Sequence, residues 1–107
     1  MEPKEGDLVS FVPPINTRQL TGVDKGGRYM KRLLAKNPTV EYKGDKVVVN
    51  GITLKRDLAR WESKFKFAVD GYKGRMDGYF VLGDVINSID SRYFGTVKEV
   101  DKCIGII

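Results

Sequence analysis

The hydrophobic and polar positions of this chain read mostly as short β-strands. Asp7–Val12 is a strand stopped by Pro13-Pro14, which cannot donate to a sheet ladder. Ile15–Gly27 is polar, carries three glycines near its end and reads as a loop. Arg28–Ala35 is a strand on which Tyr29, Lys31 and Leu33 share one face, because side chains alternate with period two. Thr39–Tyr42 and Lys46–Val49 flank Lys43-Gly44-Asp45, a tight-turn composition. Asn50-Gly51 joins Val47–Val49 to Ile52–Leu54 and is the strongest hairpin signal in the chain. Leu54, Leu58, Trp61 and Phe65 then fall on one helical stripe, predicting a short helix that ends near Lys64. From Phe65 the pattern returns to alternation through Phe67 and Val69. Asp70–Gly78, with three glycines, reads as loop, and Tyr79–Leu82 and Lys102–Ile107 are the last strands. Many short strands, tight turns and one helix predict a mainly β domain, an antiparallel barrel or sandwich-like fold.

A length of 107 residues makes one domain, able to bury roughly two-thirds of its unfolded surface. No apolar run approaches the ~18 residues needed to span a bilayer, and no signal-peptide pattern opens the chain. The net charge of +5 comes from dispersed basic residues, denser at Lys25–Arg32, Lys55–Arg60 and Lys64–Lys66. This permits attraction to nucleic acid or anionic lipid and specifies neither. The chain has no histidine and one cysteine, Cys103. A Ser-His-Asp or Cys-His mechanism is therefore excluded, as are an intrachain disulfide and most zinc sites. A hydrolase built on these residues must take Lys, Asp or Glu as its base.

Three runs carry the chemistry: Gly6-Asp7-Leu8-Val9-Ser10-Phe11-Val12-Pro13-Pro14, Tyr29-Met30-Lys31-Arg32-Leu33-Leu34-Ala35, and Asn87-Ser88-Ile89-Asp90-Ser91-Arg92-Tyr93-Phe94-Gly95 after Tyr79–Asp84. Together and in this order they resemble motifs of the signal peptidase I family of serine–lysine proteases. The Phe-Val-Pro-Pro ending resembles the conjugative-transfer (TraF-like) branch, which matures pilins. So does the short spacing between Gly83-Asp84 and Asn87-Ser88. The chain departs from the family after the lysine run, where Lys36-Asn37-Pro38-Thr39 replaces the usual Pro-Gly-Asp turn.

By this resemblance Lys31 is the general base and Ser88 the hydroxyl that hydrogen-bonds and aims its amine. A lysine base must be neutral near working pH, a drop of about three units from ~10.4, which burial among apolar groups supplies. Asp90 and Arg92 are the ion pair that braces the loop, and Gly83 and Asp84 open the motif. The family's nucleophile precedes the Gly6-Asp7 motif, and none of Ser10, Ser63, Ser88 and Ser91 stands in that context. The chain is accordingly expected to be one catalytic β domain, residues 1–107, without its membrane anchor and nucleophile, folding but not cleaving. The implied substrate is an extended segment of a pilin or secretory preprotein at the extracytoplasmic face of the membrane. No metal or organic cofactor is implied.

Read without the resemblance, Lys31 is a solvated strand lysine and Asp90–Arg92 a surface pair worth ~0–1 kcal/mol. Cys103 is a buried apolar position. A non-catalytic module that holds a peptide or partner on the same fold is the alternative function. A basic nucleic-acid-binding barrel is a third reading, supported only by the alternation Lys64-Phe65-Lys66-Phe67, and no nucleic acid is expected.

Overall fold

The computed structural model describes residues 3–12, 28–57, 71–83 and 89–102. Among the described residues, eight strands and one short helix follow in chain order: β1 (Leu8–Phe11), β2 (Tyr29–Lys36), β3 (Thr39–Lys43), β4 (Lys46–Val49), β5 (Ile52–Lys55), β6 (Lys73–Arg75), β7 (Tyr79–Leu82), α1 (Ser91–Phe94) and β8 (Asp101–Lys102). They form two antiparallel four-stranded sheets, ordered β7-β2-β1-β8 and β5-β4-β3-β6. Among the described residues neither sheet closes on itself, so the barrel alternative is replaced by two separate sheets.

Local chemistry explains the second sheet. Tyr42↔Val47 and Val40↔Val49 pair across the β3–β4 hairpin, and Gly44 (φ 58) makes its turn. Asn50 (φ 49) and Gly51 (φ 85) both take positive φ, as a two-residue turn between β4 and β5 requires. The Asn50 side chain also accepts a hydrogen bond from the Thr39 N–H at 3.0 Å.

Two hydrophobic clusters divide the interior. Val9, Phe11, Leu33, Val81 and Val97 form the first, with Tyr29, Tyr79, Phe94 and Val100 packed on it. Val40, Tyr42, Val47, Val49 and Phe80 form the second, with Leu34, Leu54 and Met76 around it. β7 therefore serves both clusters, with successive residues Phe80 and Val81 pointing to opposite sides. A bulge in β2 aligns Leu33 with Val81 and Ala35 with Phe80, which keeps both β2 residues buried.

Three expectations change. Leu54, the first residue of the predicted helical stripe, lies in β5, and the rest of that stripe falls outside the described residues. Lys73–Arg75, read as loop, is a strand that pairs with Thr39–Glu41. The described helix is α1, inside the Asn87–Gly95 run, where the hydrophobic pattern predicts none. In addition β8 begins at Asp101, and 103–107, including Cys103, lie outside the described residues.

Candidate active site

Asp90 is extended (φ −154°) and caps α1, its carboxylate accepting from the Arg92 N–H at 2.9 Å. The same carboxylate receives the Arg92 guanidinium side-on, with Nε at 2.9 Å from Oδ1 and Nη2 at 2.7 Å from Oδ2. The Gly83 N–H, at the end of β7, donates to Oδ2 at 2.8 Å. The Asp90 side chain is fully buried and that of Arg92 is 7% exposed. The pair is thus not a surface one. Its charge is offset by donors on the helix, on the arginine and on β7, the condition under which a buried carboxylate is tolerated.

The remaining bonds of this loop tie it to both sheets. The Ser91 Oγ accepts from the Val81 N–H at 2.8 Å, and the Ser91 carbonyl accepts from the Tyr42 hydroxyl at 2.6 Å. Arg92 Nη1 donates to the Lys55 carbonyl, and the Arg92 carbonyl accepts from Arg56 Nη1, both at 3.2 Å. Arg56 is itself buried, with Nε on the Gly44 carbonyl at 2.8 Å and its guanidinium 5.3 Å from the Tyr42 ring centroid. Tyr93 accepts from the Asp57 N–H at 2.6 Å, and burial pushes its phenol above the ordinary range. One turn of helix is therefore held between β7 of the first sheet and the β3–β5 hairpins of the second.

Lys31 lies on β2 opposite Val9 of β1, so the two side chains share a face with Phe11 and Leu33 of the first cluster. Its Nζ stands 5.7 Å from the Tyr29 ring centroid, and the residue is half-buried. Met30 and Arg32 point the other way and are exposed, Arg32 donating to the Gly6 carbonyl at 3.1 Å. Gly6 and Asp7 in turn extend the β1–β2 pairing, through Gly6 N–H to the Leu33 carbonyl and Leu33 N–H to the Asp7 carbonyl. A backbone hydrogen bond from Lys4, aided by the Lys102 ammonium, holds the Asp7 carboxyl below its usual value.

A cleft of about 160 Å³ is lined by Leu8, Met30, Lys31, Arg32, Leu82 and Gly83. Leu8 and Leu82 both pair with Arg32 and, with Met30, belong to the face of the first sheet opposite the Lys31 side chain, so the cleft opens on that face; Asp90 is joined to its rim through the Gly83 N–H. Asp84 and Ser88, the other two candidate positions, lie outside the described residues. Of the described serines, Ser91 is buried against β7, and the Ser10 Oγ accepts from Arg28 on the face opposite Lys31. Sequence reasoning did not find Tyr42, Arg56, Ser91 or Tyr93. An Asp followed by a short run after a strand end is a helix-cap signal that could have exposed Ser91; Tyr42 and Arg56 have no local signature. Among the described residues no group of three His, Cys, Asp or Glu could hold a metal.

The family model for signal peptidase, peptidase S26, matches residues 1–106. The chain belongs to that family, whose members are serine endopeptidases, membrane-associated, with extracytoplasmic catalytic domains. Among solved structures, a signal peptidase I from Enterococcus faecalis is 30% identical to it over 97% of each chain, with a TM-score of 0.46. No curated protein matches the chain. Among the described residues no helix is long and apolar enough to cross a membrane.

Proposed function

We propose that this chain is the catalytic β domain, residues 1–107, of a TraF-like signal peptidase that cuts pilin or secretory preproteins outside the membrane. Lys31 acts as general base in a Ser-Lys dyad, with Ser88 directing its amine, Gly83 and Asp84 opening the motif, and the Asp90–Arg92 pair bracing the loop against Gly83. The observation that carries the reading is the placement of Lys31: half-buried on the core-facing side of β2, opposite Val9 and 5.7 Å from the Tyr29 ring centroid. Lys31 would take the proton of the attacking serine and return it to the leaving amine. The attacking serine is neither Ser10 nor Ser91, since both hydroxyls are engaged away from Lys31. By family resemblance the nucleophile precedes the Gly6-Asp7 motif, so residues 1–107 alone are proposed to bind substrate without cutting it. The substrate segment binds extended, by strand addition, with small residues next to the scissile bond.

Those two engaged serines also favour a second reading, a peptide-holding module without chemistry. Incubating a pilin precursor with the full gene product and sequencing the new N-terminus decides between them. A single defined cut, lost when the residue before it is changed to tryptophan, is expected. Binding of the precursor with no cut would replace the peptidase by the holding module.

A further inference from the structure

Two side chains of the second sheet reach across to the Asp90–Arg92 loop, and one of them is of a kind that protein interiors seldom hold. Arg56 is 2% exposed. Its N–H continues the β4–β5 pairing by donating to the Asp45 carbonyl at 2.8 Å. Its side chain then runs from the Gly44 carbonyl, held by Nε at 2.8 Å, to the Arg92 carbonyl, held by Nη1 at 3.2 Å. The guanidinium lies over the ring of Tyr42, whose hydroxyl donates to the Ser91 carbonyl at 2.6 Å. Two successive carbonyls of α1 are thus gripped, one from β3 and one from the residue after β5.

Burying a guanidinium costs more than burying an apolar side chain of like volume. Stability alone would be served by leucine or methionine at this position. What arginine adds is a planar, rigid fork that fixes the spacing of its acceptors. The object so held is a single helical turn, too short to keep its shape in isolation.

Asp90 caps α1, so wherever the turn is set, its carboxylate is set with it. That carboxylate takes the Gly83 N–H at 2.8 Å, and the Ser91 Oγ takes the Val81 N–H at 2.8 Å. With the Tyr79–Val97 pair, these two bonds give the outer edge of β7 partners in place of a neighbouring strand. The inner edge of β7 pairs with β2, Leu82 opposite Arg32 and Val81 opposite Leu33, the two residues that follow Lys31. A continuous run of hydrogen bonds therefore passes from Arg56 and Tyr42 through α1 and β7 to the strand that carries Lys31.

We infer that Arg56 and Tyr42 are positioning residues of this site: from the second sheet they fix where the Gly83 strand end stands relative to Lys31. The inference rests on the peptidase reading and gives the second sheet a task in it. Neither side chain touches substrate; both act through the loop. A misplacement of about 1 Å by such remote support can cost on the order of a hundredfold in rate.

The test uses the full gene product, assayed on the precursor and carrying isotopically labelled glycine for magnetic resonance. Tyr42→Phe removes one hydroxyl and keeps the ring, and Arg56→Met keeps the reach of the side chain and loses the fork. The control is Tyr72→Phe, which removes a hydroxyl donating to the Arg75 carbonyl, away from α1. Rates are compared at a temperature where circular dichroism shows every form folded. Tyr42→Phe and Arg56→Met are each expected to lower kcat roughly tenfold to a hundredfold with KM within about twofold, and to shift the Gly83 amide resonance. Tyr72→Phe should do neither. A Gly83 amide unmoved in both variants, kcat unchanged in the folded variants, or an equal loss in the control would each overturn the assignment. If Arg56→Met does not fold, Tyr42→Phe decides by the same two readouts. Lys31→Ala that cleaves like the parent would instead overturn the peptidase reading, and the Gly83 amide reports without cleavage, so the two failures are told apart.

Discussion

Removing the Asp90 carboxylate should be among the most damaging single changes to this domain. Asp90→Ala strips the Arg92 guanidinium of its acidic partner while Arg92 stays 7% exposed, and it leaves the Gly83 and Arg92 N–H groups without their acceptor. Breaking a buried pair from one side costs about 3–5 kcal/mol, because the surviving charge remains desolvated. Against a total stability of about 5–15 kcal/mol that is a large fraction, and for a domain of this size it corresponds to a fall of more than about 10 °C in Tm. Urea denaturation followed by circular dichroism measures it. The reasoning makes a sharper demand on the double variant. Asp90→Ala/Arg92→Met removes both charges and should recover at least about 1 kcal/mol relative to the sum of the single changes. A cost for Asp90→Ala below about 1 kcal/mol, or strict additivity in the cycle, would refute the claim that this pair is buried and mutually dependent.

Two further outcomes follow from the same geometry. Asp7 has a lowered folded-state pKa, so its contribution to stability is present above the unfolded value near 3.8 and is lost as pH falls through the folded one; Asp7→Asn should flatten the loss of stability below about pH 4, measured as urea midpoint against pH. Gly78 has φ +115 and an added Cβ would lie 2.7 Å from the Val97 carbonyl oxygen, so Gly78→Ala should cost on the order of 1–3 kcal/mol in the same urea assay, whereas Gly44→Ala, with open space at the Cβ, should cost less.

The parts of the fold legible in the sequence are those with a local cause. Asn50-Gly51 marks its hairpin because both residues must take positive φ, and Tyr29-Met30-Lys31-Arg32-Leu33 marks its strand because alternation assigns Lys31 to the core face. What escaped depends on contacts distant in sequence. β6 is three residues long, carries Gly74, and exists because Thr39–Glu41 supplies a partner more than thirty residues earlier. Leu54 fits a helical stripe as well as a strand, and pairing with Val47 decides the matter. α1 is a single turn, too short for any period to show, and its cap is the same aspartate that pairs with Arg92. Within the candidate site, Lys31, Gly83, Asp90 and Arg92 stand out by their motifs. The clamp of Tyr42, Arg56 and Tyr93 does not: Tyr42 and Arg56 reach the loop from distant positions in the chain, and Tyr93, within the loop, accepts from the distant Asp57.

The most direct test of the central claim is the rate of precursor cleavage by the full gene product carrying Lys31 or Lys31→Ala. The variant is first shown to melt within a few degrees of the parent. A positioned base contributes about 10²–10⁴-fold, and a serine left without one should fall by at least that much. Loss of cleavage on this scale, with precursor binding retained, is the predicted result. Cleavage within a few fold of the parent would contradict the assignment of Lys31 as the base.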